Sequence, residues 1–230
     1  MIKTKKDLKA YIQADKEEFK KGSDPYWVGF ILRSENYYAQ KFQKRLRIAE
    51  YYRNNRSKNF IFRILDLIHK IRLAWYANKL DVRITPNTCG PGLRITHPTG
   101  IMISWDAKIG RNFTVRRNAL IGNSLYDHKA PTIGDYVQFG VGAQAVGDVV
   151  IGRGAVISNG TVLVGKIPPY AIVVGNPGKI IGFSMTPEEV VEFEKDKYSE
   201  DERTPLELLQ KNYAKYYTQR YKDIKSFLKI

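Results

Sequence analysis

Residues 103–163 repeat every six positions. Ile103, Ile109, Val115, Ile121, Ile133, Phe139, Ala145, Ile151, Ile157 and Leu163 keep the beat, with one skipped place. Two positions before each stands a second apolar, small or β-branched residue: Ile101, Ala107, Phe113, Ala119, Pro131, Val137, Ala143, Val149, Ala155 and Thr161. Glycine often follows the first set, as at Gly110, Gly122, Gly134, Gly140 and Gly152. A six-residue self-similarity marks a parallel β-helix built from hexapeptides. Alternate residues of a short strand face opposite ways, so an aliphatic residue and its partner two places back fill a narrow prism. Glycine suits the turns between strands. A beat of six fits neither a heptad nor an amphipathic helix.

The beat is interrupted once. Between Ile121 and Ile133, the stretch 123–131 has Asp127 where an aliphatic residue would fall. The spacing predicts a loop pushed out of one coil, and loops on rigid scaffolds often carry function.

Around this core the chain divides into a helical N-terminal segment (1–80), a β-helix domain (81–182) and a C-terminal helical tail (183–230). Helices are expected over 4–21, about 26–54 and 60–78, with a breaker at Gly22-Ser-Asp-Pro25. The second has Phe30, Ile31, Tyr37, Tyr38, Phe42 and Leu46 for a buried side. The third has Ile61, Ile64, Leu65, Ile68, Ile71, Leu73 and Trp75. Val82, Ile84, Leu93 and Ile95 alternate as strands entering the prism, and the regular beat ends after Leu163. Thr186-Pro-Glu-Glu189 is a helix start with proline at the first helical position. Thr204-Pro-Leu-Glu207 repeats the device, for a helix reaching about Phe227.

The formal net charge is +15, and it is uneven: residues 1–80 hold 19 Lys+Arg against 8 Asp+Glu, and residues 183–230 hold 9 against 10. An excess of this kind suits anionic partners, or is a solvated helical face. Interleaved arginines and tyrosines more often mark an amphipathic helix than a nucleic-acid surface, so nucleic acid is not the expected partner. The single cysteine, Cys89, excludes an internal disulfide framework and fits a reducing compartment. No apolar run of about 18 residues exists for a membrane span, and the start lacks the apolar run of a secretory signal. A cytoplasmic location is expected, with contact at the inner membrane face left open.

The hexapeptide run, the loop, and the ending Ile167-Pro-Pro-Tyr-Ala-Ile-Val-Val-Gly-Asn-Pro-Gly-Lys179 resemble the left-handed β-helix acyltransferases. Within them the chain is most similar to the branch of serine acetyltransferase and its relatives from bacterial surface-polysaccharide clusters. The resemblance covers roughly residues 82–182. It implies a mainly β fold, a left-handed parallel β-helix, and a homotrimer with acetyl-CoA in the groove between neighbouring prisms.

Acetyl transfer to a hydroxyl needs a base, donors for the oxyanion and a groove for CoA. Three histidines are present. His69, within the third helical pattern, is expected to be structural. His97, in Ile95-Thr-His-Pro-Thr-Gly100, falls six before Ile103, where an inward aliphatic would stand. The family's catalytic histidine occupies a matching motif, which implies His97 as the base that deprotonates the acceptor during direct attack on the thioester. Imidazole titrates near pH 6.5, which suits that role. His128 lies in the loop as Tyr126-Asp-His-Lys-Ala-Pro131, and relatives use a loop histidine to hold substrate or as the base. Asp127 is assigned with it to the acceptor, together with Asn87 and Thr96.

Two departures bear on the acceptor. Serine acetyltransferases have Asp before the catalytic His and an orienting Asp in the preceding strand; here Thr96 and Arg83 or a near neighbour stand there. A hydroxyl on a sugar of a surface polysaccharide or its precursor is the main expectation, with serine as the alternative. For CoA, Gly142, Ala143, Asn159 and Gly160 would let the pantetheine arm lie along the coils, and Lys166 and Lys179 would meet phosphates. No metal is expected, since a three-histidine site of the γ-carbonic anhydrase type would have only His97 and His128 in the prism. A non-catalytic basic binding scaffold is the reading from another class.

Overall fold

A computed structural model describes residues 1–20, 31–32 and 34–216. The chain forms a left-handed parallel β-helix of five turns, with helices before and after it. Strands β1 (Val82–Ile84), β3 (Ile101–Ile103), β6 (Leu120–Gly122), β9 (Gln144–Val146) and β12 (Val162–Leu163) stack as face A. Strands β4 (Lys108–Ile109), β7 (Thr132–Ile133), β10 (Val150–Ile151) and β13 (Lys166–Ile167) make face B, extended by a bridge from Cys89 to Ile109. Face C contains β2 (Arg94–Thr96), β5 (Thr114–Arg116), β8 (Gln138–Phe139), β11 (Val156–Ile157) and β14 (Ala171–Val174). An antiparallel return, β15 (Lys179–Phe183), pairs with β14.

The register stacks like on like. Ile84, Ile103, Ile121, Ala145 and Leu163 run up face A. Cys89, Ile109, Ile133, Ile151 and Ile167 run up face B. Ile95, Val115, Phe139, Ile157 and Val173 run up face C. All are buried, as is each partner two places back from 101 to 161. Burying a residue of this size contributes about 1.5–3 kcal/mol. Past Leu163 the coil does not stop: a four-residue step to Ile167 tightens one corner, and the fifth turn completes at Val173. Stretch 123–130 leaves the prism between faces A and B of the third turn, one residue short of the expected 123–131: Pro131 is already buried, and Ile133 resumes the phase.

Three helices precede the prism: α1 (Lys5–Lys20), α2 (Glu35–Asn55) and α3 (Phe60–Leu80). Ser34 caps α2 and Asn59 caps α3, each accepting from a backbone N–H three residues on. The expected breaker at 22–25 and the start of the second helical pattern, 26–30, lie outside the described residues. Arg47 of α2, wholly buried, joins the helices to the first turn. Its guanidinium donates to Asp15 at 2.8 and 3.1 Å, to Glu50 at 3.1 Å, and to the carbonyls of Cys89 and Gly90 at 2.8 and 2.6 Å. Asp15 also accepts from the N–H groups of Gly92 and Leu93, both at 2.9 Å, and Glu50 from that of Asn87 at 2.8 Å. Gln43 donates to the carbonyl of Leu93. Burial works against the Arg47 charge, but Glu50 and Asp15 outweigh it and hold the group protonated. Burial pushes the Cys89 thiol up to about 12.

After β15, α4 (Pro187–Lys195) opens with a full capping box between Thr186 and Glu189. A 3-10 turn (Glu200–Glu202) and α5 (Leu206–Tyr216) follow; the expected continuation to Phe227 lies outside the described residues. This tail lies along the corner between faces B and C. Tyr198 sits between the guanidinium groups of Arg111 and Arg153, 4.4 and 4.1 Å from its ring centre, and donates to Asp135 at 2.9 Å. Tyr170 donates to Glu194 at 2.7 Å.

Candidate active site

Corners of the prism hold the residues that sequence reasoning singled out, and they fall on different corners. His97 opens the corner from face C to face A in the first turn. It is exposed, which corrects the inward placement expected from its phase. From Phe113 and Val115 the inward pair advances six positions to Ala119 and Ile121. From Leu93 and Ile95 it advances eight, to Ile101 and Ile103. The two extra residues lengthen this corner and turn the imidazole outward, with His97 in the left-handed region at φ 54°.

Its Nδ1 lies 2.9 Å from Oε2 of Glu35, in the first turn of α2. A carboxylate only accepts, so a neutral imidazole held this way carries its proton on Nδ1 and offers the lone pair of Nε2 to solvent. That is the tautomer a general base needs. Glu35 was not anticipated from the sequence: it lies 62 positions away and follows no motif. On the next turn Arg116 pairs in register with Thr96, and exposed Arg117 and Asn118 make the same corner, so cationic groups stand beside His97. Thr96 itself is a correction. Its hydroxyl is sealed from solvent with no hydrogen-bond partner among the described residues, so it cannot meet a substrate in this arrangement.

The same corner continues through Gly142, Asn159 and Gly160. Added Cβ atoms at Gly142 and Gly160 would meet nothing within 4 Å, so bare backbone faces open space there, as a long thin ligand requires. Asn159 braces this corner by accepting from the Val141 N–H at 2.8 Å. Lys179 is exposed just past it, at the start of β15. Two of the expected cofactor residues do not join this line. Ala143 points into the prism, wholly buried, with its N–H bonded to Gly140 and its carbonyl to Leu120. Lys166 is on face B, across the prism from this corner.

His128 belongs to another corner, between faces A and B, two turns further on. It is exposed at φ 54°, and its carbonyl accepts from Asn123 at 3.3 Å. Asp127 accepts from the Lys129 N–H at 3.2 Å, and Lys129 reaches Asp148 at 2.8 Å. Hydrogen bonding to Ser124 and to the Lys129 backbone lowers the Asp127 carboxyl below its ordinary range. One prism therefore does not bring His97 and His128 together. Asn87 is also placed otherwise than expected. It exchanges amide hydrogen bonds with Asn54 at 2.9 and 3.0 Å, which docks the helices rather than leaving a group for a ligand. His69 stacks on Tyr52 with ring centres 4.5 Å apart, and burial lowers its pKa. Among the described residues no three His, Cys, Asp or Glu side chains group as a metal site.

No family model matches the chain. It is similar to the serine acetyltransferase of Mycobacterium tuberculosis, 37% identical over 98 residues, which is 42% of this chain and 43% of that one. It is also similar to the serine acetyltransferase of Bacillus pumilus, 30% identical over 131 residues, 49% of this chain and 60% of that one. The chain thus spans about half the length of these curated relatives. Among solved structures, soybean serine acetyltransferase superposes with a TM-score of 0.62 at 25% identity, covering 76% of this chain and 69% of that one. The Neisseria gonorrhoeae enzyme gives the same score and identity over 81% and 71%. These solved structures share the hexapeptide-repeat transferase fold, and these relatives are serine acetyltransferases.

Proposed function

We propose that the chain is an acetyl-CoA-dependent O-acetyltransferase with His97 as its general base. The observation that carries this is the Glu35–His97 pair at 2.9 Å, which aims a free ring nitrogen outward at the head of an open corner. In the proposed step the acceptor hydroxyl attacks the thioester carbonyl as His97 takes its proton. The new C–O bond forms, the C–S bond breaks, and His97 returns the proton to the leaving thiolate. Glu35 steadies the imidazolium between the two transfers. Acetyl-CoA supplies the acyl group; the bare backbone at Gly142 and Gly160 would take its pantetheine arm, with Lys179 and Arg117 as cations for phosphate.

A homotrimer belongs to the proposal, because His97 and the His128 loop occupy different corners of one prism. A second prism packed on face A would let one copy's loop approach the other's His97. Met102, Val146 and Val164 expose apolar surface on this face, at 45, 46 and 69%, beside the polar Arg83 and Gln144. Asp127 and His128 are then proposed to hold the acceptor. Acetyl-CoA as donor puts the reaction on the cytoplasmic side.

Serine is the acceptor the relatives favour, and soybean serine acetyltransferase, 26% identical, has been solved complexed with serine. A sugar hydroxyl is the second reading. Thr96 stands where a carboxylate precedes the histidine in the serine enzymes, and Trp105 and Tyr126 expose ring faces, at 71 and 97%, that suit a sugar. Release of CoA thiol from acetyl-CoA, measured with free serine and with sugar or nucleotide-sugar acceptors, separates them. Serine is expected to support release, and His97→Ala to slow it by about 10²–10⁴-fold. Release with sugars alone would favour the second reading, and unchanged turnover in His97→Ala would remove the base.

A further inference from the structure

The helix α3 carries an apolar stripe that none of the described residues covers. Ile61, Ile64, Leu67, Ile68, Ile71 and Trp75 are exposed at 42 to 64%. At 100° per residue they share about 120° of arc. The opposite side, through Leu73, faces α2 and β1. The polar residues are arranged about this stripe. Arg63 and Lys70 lie along one edge, and Arg72 and Lys79 along the other, all exposed. Lys79 reaches over the Trp75 ring at 5.3 Å. The only acid on the helix, Asp66, is half-buried on the side turned toward the protein.

We infer that α3 seats this protein on an anionic lipid surface, lying in the plane of the headgroups. An apolar stripe bordered by cations on both sides is the pattern of an interfacial helix: the aliphatic and indole groups enter the acyl boundary while Lys and Arg extend to phosphate. Headgroup charge adds attraction for each cation near the surface. Charge selects this occupant over a second copy. Paired α3 stripes would set Arg63, Lys70, Arg72 and Lys79 against the same four cations with no exposed acid on either helix, within a segment carrying 19 basic against 8 acidic residues. No described helix is long and apolar enough to cross a membrane, and α3 needs only to lie on one. The inference stands apart from the reaction proposed above.

The experiment is co-sedimentation of the full chain with vesicles of phosphatidylcholine alone or mixed with phosphatidylglycerol, at low and high salt. The protein is expected to pellet with the anionic vesicles, to stay in solution with neutral ones, and to be released by salt. Ile64→Glu/Ile71→Glu and Arg63→Glu/Lys70→Glu should each lower binding about tenfold or more. All four positions are exposed, so circular dichroism should report an unchanged fold. Indole fluorescence should shift to the blue on anionic vesicles, and Trp75→Phe should remove most of that shift. Failure to bind anionic vesicles, or binding that survives Ile64→Glu/Ile71→Glu, would overturn the inference. So would a lipid-free particle that contains fewer copies of the chain in that double variant, since another copy would then be the occupant.

Discussion

The prism and the helices that close its first turn are held by opposite means. Inside the prism, like residues stack turn upon turn and the only requirement is volume: isoleucine on isoleucine, with alanine or phenylalanine adjusting the fit. At the junction with α1 and α2, buried charge does the holding, through Arg47, Asp15 and Glu50 at 0, 5 and 1% exposure. The first kind of contact is local, repeated and forgiving. The second is long-range, made once, and depends on every partner being present.

Breaking the junction should have the largest effect. Arg47→Met leaves two carboxylates buried without their counter-charge and should cost about 3–5 kcal/mol. In urea, helical dichroism should be lost before the prism unfolds. Combining it with Asp15→Leu and Glu50→Leu removes the stranded charges but orphans the N–H groups of Asn87, Gly92 and Leu93, so that triple variant should remain destabilised. Full recovery would mean that charge alone, and not backbone satisfaction, matters there. Within the prism, Ile121→Ala should cost about 2–5 kcal/mol in a single cooperative transition. A third test concerns the C-terminal tail. Burial, with hydrogen bonds to Glu194 and Asp135, raises the pKa of Tyr170 and Tyr198 above the ordinary 10.0. A raised phenol favours the fold fully below pH 10.0, and that contribution is lost as pH climbs through the folded-state value. Alkaline titration should therefore free the tail while the prism persists, read as tyrosine ionisation beginning late and ending together with loss of α4 and α5 dichroism. The smallest effect is at Asn87. Asn87→Ala should cost about 0.5–1.5 kcal/mol and leave any acetyl transfer unchanged, because the side chain serves Asn54.

The same contrast explains what could be read in advance. A repeat announces itself because each turn obeys the same local rule, so faces, loop and inward residues from Ile101 to Leu163 were legible. The longer corner at His97 was not, since two added residues shift the phase without leaving any mark beyond a proline and a glycine. Glu35 and His97 are 62 positions apart, and Asp15 and Leu93 are 78 apart. Such pairings carry no period, and single acids in a basic segment look like surface. Ile61, Ile64, Ile68, Ile71 and Trp75 misled in the other direction: their spacing reads as core, yet they face outward.

The first turn has a further consequence. A stacked coil ends in a ring of peptide groups shaped to accept one more coil, and a bare ring would recruit its own kind end to end. Here Arg47, Gln43, Asp15 and Glu50 occupy the carbonyls of Cys89, Gly90 and Leu93 and the N–H groups of Asn87, Gly92 and Leu93. Side chains thus stand in for the missing strand, and at the far end β15 turns back along β14 in the wrong direction for another parallel turn. Stacking of further turns is therefore blocked by the chain itself between faces B and C at the first turn and on face C at the far end.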